Sequence, residues 1–282
     1  KVIIMNTDIK LVALDLDRTT LNSESHLSEV NRQALIDAIS NGVHVCIASG
    51  RAFDTLPEDI ISVPGIEYAI TSNGAAIYRI AGKECLKSYL LTPSSVKTIL
   101  NLTANDTVTY EAFIKGQAFA STEYIRHPEK YGATEHSLAY VKKTRILKDD
   151  IKDFILEHCH KLDSLDIVVG NEELKKNIMD RIRKATDEVY MTSSISQLLE
   201  ISYKDAGKKS GVKFLTEYLG LSRENVAAFG DADNDTDMIE YAGTGIAMEN
   251  AAPHLKQIAD HITLHHDKDG VAYAFRNILN IC

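Results

Sequence analysis

The stretch Leu11-Val12-Ala13-Leu14-Asp15-Leu16-Asp17-Arg18-Thr19-Thr20-Leu21 decides how the chain is read. Four apolar residues stop abruptly at two aspartates, and a polar turn follows. A short continuous apolar run bounded by a turn suits a strand covered on both faces, as in a parallel sheet flanked by helices. The aspartates then stand at the carboxyl end of that strand, where open α/β sheets place their ligands. Taken alone, Asp-x-Asp fits an ordinary loop or a helix cap equally well.

Outward from this stretch, Ser28 caps a helix whose apolar stripe is Val30, Leu35, Ile36 and Ile39, and Gly42 ends it. Residues 43–48 form a second buried strand closing on Ser49-Gly50-Arg51. Strand, helix and strand with short links make a right-handed βαβ unit. A hydroxyl followed by glycine at such a strand end can receive an anion, although Ser49 also fits a plain helix cap. A helix near 55–63 comes next, then a strand at 68–71 ending in Ser72-Asn73-Gly74-Ala75. That turn makes Asn73 and Gly74 candidates to face a substrate.

From about Lys83 the pattern changes. Alternating stretches at 107–113 and 117–121 read as antiparallel strands with one wet face. Helices are expected at 94–105, 148–160 and 172–186, and closing strands at 189–192 and 198–202. The parallel pattern then resumes with a helix at 208–219, a strand at 226–229, another at 245–248 and a closing helix at 270–279. The expected fold is α/β: a Rossmann-like doubly wound parallel sheet core of residues 1–83 and 202–282, with an inserted α+β domain at 84–201.

The strand at 226–229 runs into Gly230-Asp231-Ala232-Asp233-Asn234-Asp235. Three carboxylates and an amide in one loop repel one another unless a cation neutralises them. An oxygen-only set favours a hard ion such as Mg²⁺. A calcium EF-hand loop is excluded, because counting from Asp231 no glycine falls at the turn position and the twelfth residue is Ala242.

A net charge of −9 without a basic block argues against nucleic acid or an anionic membrane as partner. No stretch approaches the roughly 20 apolar residues of a membrane span. The apolar run at residues 1–5 is too short for a secretory signal. Cys46, Cys85, Cys159 and Cys282 lack metal-ligand spacing, which fits a reduced, cytoplasmic setting with Cys46 as a buried filler.

Together these residues resemble the haloacid dehalogenase superfamily, and within it the Cof-type sugar phosphatases with a class IIB cap. Asp15, Asp17 and Thr19 match the first motif, Ser49 the second, Lys208 in Gly-Lys-Lys-Ser-Gly-Val the third, and Gly230, Asp231 and Asp235 the fourth. Ser72-Asn73-Gly74-Ala75, Ala247-Met248-Glu249-Asn250-Ala251 and Asp269-Gly270-Val271 extend the likeness to nearly the whole chain. Arg18 departs from it, standing where the family usually has glycine.

The resemblance implies Mg²⁺-dependent hydrolysis of a small phosphorylated metabolite through an aspartyl-phosphate. Asp15 would be the nucleophile and Asp17 the proton carrier. Ser49, Gly50, Thr19, Lys208 and Asn234 would hold the phosphoryl group. Asp15, Asp17 (through its carbonyl), Asp231 and Asp235 would hold the metal. Arg18, Arg51, Asn73 and Gly74 would face substrate under a mobile cap, whose Tyr124, His127, Tyr131 and His136 read as surface or packing residues. The same residues would also serve a phosphomutase or phosphotransferase, or persist in an idle metabolite-binding protein.

Overall fold

The apolar run Leu11–Leu14 is strand β1, buried along its whole length. The structure, a computed structural model, describes residues 8–282; the stretch at residues 1–5 and the side chain of His136 lie outside the described residues. In chain order there follow β2 (His44–Ala48), β3 (Tyr68–Thr71), β4 (Ala76–Arg79), β5 (Glu84–Ser88), β6 (Thr109–Ile114) and β7 (Gln117–Ser121). Then come β8 (Ile146–Lys148), β9 (Ser164–Val168), β10 (Val189–Thr192), β11 (Leu198–Tyr203), β12 (Val226–Gly230), β13 (Thr244–Ala247) and β14 (His261–Ile262).

One sheet has the order β14-β13-β12-β1-β2-β3-β4-β5. It is parallel from β14 to β3 and antiparallel at β4 and β5. The chain winds outward from β1 to β3, then returns to β1's other side through β12. That reversal opens a crevice at the carboxyl ends of β1 and β12, the usual ligand position in such sheets. A second sheet has the order β10-β11-β9-β6-β7-β8, antiparallel except where β7 meets β8.

Each sheet has its own apolar core. Leu14, Ile47, Phe229, Ile246 and Phe275 belong to the first, and Tyr110, Ile99, Ile155, Ile178 and Ile201 to the second. Burying each such side chain contributes about 1.5–3 kcal/mol, so each sheet has its own source of stability.

Several elements differ from the sequence reading. β5 pairs with β4, so the first sheet continues past residue 83; β11 carries the second sheet to Tyr203. Alternation along a strand records its wet and dry faces but not which sheet it joins. The helix Glu29–Ser40 is capped as expected, with Ser28 Oγ accepting from Asn31 N at 3.1 Å. Its buried face is Asn31, Ala34, Leu35 and Ala38, while Val30 is exposed. Asn31 can be buried because its amide donates to Thr20 O and its carbonyl oxygen accepts from Ala272 N. The helix expected near 55–63 is a short turn, Phe53–Thr55, and one helical turn, Glu58–Ile61.

Among the described residues no helix is long and apolar enough to cross a membrane. All four cysteines are free, and Cys46 is buried.

Candidate active site

At the end of β1, Asp15 N donates to Phe229 O of β12 at 3.1 Å, and the chain then leaves the sheet in one wide turn, Leu16–Thr20. Thr20 Oγ1 donates to Asp15 O at 2.6 Å and Leu21 N to Leu16 O at 2.9 Å, which fixes the turn. Arg18 sits in the left-handed region (φ 61°), where Asn250 Nδ2 donates to its carbonyl at 2.8 Å. Its side chain is exposed, with Nε 3.9 Å from Asp231 Oδ2.

Lys208 enters from the first turn of the helix Lys208–Tyr218 and is fully buried. Its Nζ donates to Asp15 Oδ1 and to Asp235 Oδ1, each at 2.6 Å. Burial works against the ammonium, yet the two carboxylates hold its pKa above the ordinary lysine range. Asp235 Oδ2 accepts from Asp231 N at 2.9 Å and Ala232 N at 3.0 Å, folding the loop after β12 back on itself. Asp237, which the sequence reading passed over, lies beside the start of the Lys208 helix, where burial pushes its carboxyl up to about 6 and the backbone of Lys209 opposes the shift.

Gly74 packs against the backbone of Gly207. A Cβ there would come within 1.9 Å of Gly207 O. Gly207 N in turn donates to Asn73 O at 3.0 Å. The glycine lets the two backbones meet and seats the helix that carries Lys208.

Asp15, Asp231 and Asp235 each offer an oxygen within 4.8 Å of the others. Burial raises the Asp15 pKa well above the carboxylate range and the Asp235 charge adds to it, while Lys208 opposes the shift. Burial and Asp235 push Asp231 up to about 7. One ammonium among three buried carboxylates leaves a charge deficit, and the donors are all oxygen. This set fits a hard divalent cation such as Mg²⁺. His265, His266 and Asp267 also converge, but their atoms are engaged: His266 Nδ1 lies 3.1 Å from Leu21 O, and Asp267 accepts from both Ser23 N and Ser23 Oγ.

Thr19 is fully buried with Oγ1 donating to Asp231 Oδ1 at 3.4 Å, so it faces a carboxylate of the cluster. Ser49 is buried at the end of β2, its Oγ accepting from Arg51 N at 3.2 Å. Gly50 lies under the second sheet, where a Cβ would stand 2.8 Å from Glu200 Oε1. Asn234 Nδ2 donates to Asn73 Oδ1 at 3.0 Å, and Asn73 Nδ2 donates to Glu200 Oε1 at 2.9 Å. Asp17 pairs with Arg51, whose Nε and Nη2 lie 2.9 and 2.6 Å from its two oxygens.

Glu200 of β11 lies opposite Asp166 of β9, which lies opposite Glu111 of β6. All three are buried. Burial raises the pKa of Asp166 well above the carboxylate range, with Glu200 and Glu111 adding to it, and burial also raises Glu200. Arg145 Nε donates to Glu111 Oε2 at 2.7 Å. The sequence reading missed this rung. Its signal is a lone carboxylate inside each apolar strand, as in Leu-Leu-Glu-Ile at 198–201. Tyr124 and Tyr131 pack edge to face at 5.8 Å, and His127 is half exposed between Glu123 and Glu129.

The family model for haloacid dehalogenase-like hydrolases matches residues 12–275. The chain is 32% identical over 273 residues to the 5-amino-6-(5-phospho-D-ribitylamino)uracil phosphatase YcsE of Bacillus subtilis (strain 168), covering 96% of each. Among solved structures it is similar to a haloacid dehalogenase-like hydrolase from B. subtilis, with 27% identity, a TM-score of 0.81, and coverage of 96% of this chain and 100% of the other. It shares its fold with a subclass IIB sugar phosphatase of the superfamily at 19% identity and a TM-score of 0.82, covering 97% of this chain and 100% of the other. The chain belongs to the haloacid dehalogenase-like hydrolase family, as a phosphatase of small phosphoesters.

Proposed function

We propose that the protein hydrolyses phosphorylated sugars or polyols, with Asp15 as nucleophile. The observation that carries this reading is the contact of buried Lys208 with both Asp15 and Asp235 at 2.6 Å, beside Asp231. The likeness to a phosphatase named for a phosphoribityl substrate supports a polyol phosphate.

Asp15 attacks phosphorus in line; the phosphorus–oxygen bond to the sugar breaks as the bond to the Asp15 carboxylate forms, giving an aspartyl-phosphate. Ser49 and Lys208 hold the phosphoryl oxygens, and the ammonium offsets the charge that a carboxylate nucleophile meets. Asp17, which takes a proton from solvent when one of its oxygens leaves Arg51, gives that proton to the departing alkoxide and then takes one from the water that hydrolyses the acyl-phosphate. Asp15, Asp231 and Asp235, with the Asp17 carbonyl, are the residues that would hold Mg²⁺, which supplies further neutralisation of the phosphoryl group.

The second sheet and its helices act as the cap, screening the leaving group from water. The four free cysteines fit a reducing, cytoplasmic setting.

The test is a screen of phosphorylated metabolites for phosphate release, with Mg²⁺ and with a chelator. Metal-dependent release from a sugar or polyol phosphate is the expected result. No release from any of them at millimolar Mg²⁺ would overturn the reading.

A further inference from the structure

Arg51 is held on every side. Its Nε and Nη2 take the two oxygens of Asp17, and Nη1 donates to Thr55 O at 3.3 Å. Its guanidinium carbon lies 4.8 Å from the centre of the Tyr140 ring. Tyr140 comes from the insert, on the helix Glu135–Thr144, and its hydroxyl donates to Thr55 Oγ1 at 3.5 Å. The same ring takes the guanidinium of Arg145 at 5.0 Å, and Arg145 pairs with buried Glu111. One aromatic ring of the insert thus meets the arginine that grips the carboxylate nearest the nucleophile in sequence.

We propose that Tyr140 is a positioning residue for Asp17, acting through Arg51. A guanidinium over an aromatic face is attracted by the ring quadrupole, more strongly when desolvated. The Arg51 side chain is only 13% exposed, whereas the Asp17 side chain is 52% exposed. Asp17 therefore has little packing of its own to fix its orientation. The rigid fork of Arg51 fixes it, and the Tyr140 ring holds the fork in place. Arg51 makes this pair through two nitrogens of one planar group, a geometry that lysine cannot copy.

The inference rests on the proposed role of Asp17, and the experiment separates the two. Steady-state hydrolysis of p-nitrophenyl phosphate is measured together with inhibition by inorganic phosphate, which reports binding at the nucleophile. Tyr140→Leu removes the ring but keeps bulk, and kcat falls about tenfold with phosphate inhibition unchanged. Tyr140→Phe keeps the ring and stays within about twofold of the parent. Arg51→Lys also lowers kcat, and adding Tyr140→Leu to it costs less than about twofold more, because the two act in series.

A Tyr140→Leu enzyme with the parent kcat, a Tyr140→Phe enzyme as impaired as Tyr140→Leu, multiplying losses in the double variant, or a parallel loss of phosphate binding would each overturn the proposal. Asp17→Asn serves as the reference. An inactive Asp17→Asn beside a fully active Tyr140→Leu defeats only the role of Tyr140. An Asp17→Asn enzyme with the parent kcat defeats the assignment of Asp17 itself.

Discussion

The amide of Asn73 donates to Glu200 Oε1 at 2.9 Å, so a turn at the end of β3 is tied to a buried carboxylate of β11 across the gap between the two sheets. Glu200 Oε2 also accepts from Ser194 N at 2.5 Å, which leaves the carboxylate little freedom to choose another partner. Asn73→Ala and Glu200→Ala should each raise KM for p-nitrophenyl phosphate. The double variant should lose less than the sum of the singles, with a coupling energy of about 1–3 kcal/mol in urea denaturation. Strict additivity would show that the contact does not hold the sheets together.

Lys208→Met leaves three carboxylates facing one another without their ammonium. Hydrolysis should fall by roughly 10²–10³-fold, the usual cost of losing one electrostatic contact to a transition state. Stability should fall by about 3–5 kcal/mol, as when one partner of a buried ion pair is removed. Mg²⁺ should restore part of the lost melting temperature, and more than it adds to the parent protein. In the parent, Mg²⁺ at a hundred times its Kd should add about 2.7 kcal/mol; Asp231→Asn should abolish that gain. Thermal denaturation with and without chelator checks all of these.

Gly74→Ala puts a methyl group where Gly207 O stands and forces alanine into a φ of +87°. The expected loss is about 3 kcal/mol or more, since both backbone strain and a clash must be relieved. Urea denaturation measures it. Any folded fraction should hydrolyse more slowly, because the displaced backbone begins the helix that carries Lys208.

Asp163 is buried beside Ser88, whose Oγ donates to its Oδ1 at 3.1 Å, and burial pushes its pKa up to about 6. The unfolded value is lower, so the folded state binds this proton more tightly. Its favourable contribution is complete below about pH 4 and fades as pH rises through about 6, a change on the order of 3 kcal/mol. Asp163→Asn should remove that part of the pH dependence of unfolding and make the protein more stable at pH 7.5. An unchanged profile from pH 4 to 7.5 would count against the shift.

The core of the site was legible because each of its residues follows a buried strand or opens a helix. Asp15, Ser49, Asp231 and Asp235 could be placed from the apolar runs beside them and Lys208 from the family resemblance, and the structure brings Asp15, Lys208, Asp231 and Asp235 together. What was not legible depends on contacts distant in sequence. Nothing near Asn73 announces Glu200, and nothing near Tyr140 announces Arg51. The helix at Glu29–Ser40 was read one step out of phase because Asn31 counts as polar by type, yet its amide finds Thr20 and Ala272 in the interior. β5 was assigned to the insert because the sequence pattern changes near Lys83, and a change of pattern does not identify the neighbouring strand.

β12 lies beside β1 although the whole insert separates them along the chain. While the protein is being synthesised, β1 must wait with one apolar edge open until more than two hundred further residues have left the ribosome. By then the second sheet, whose strands are all nearer neighbours in sequence, can already have collapsed about its own core. An unfinished chain would therefore carry Asp15 without the Lys208 counter-charge until its last third has been made.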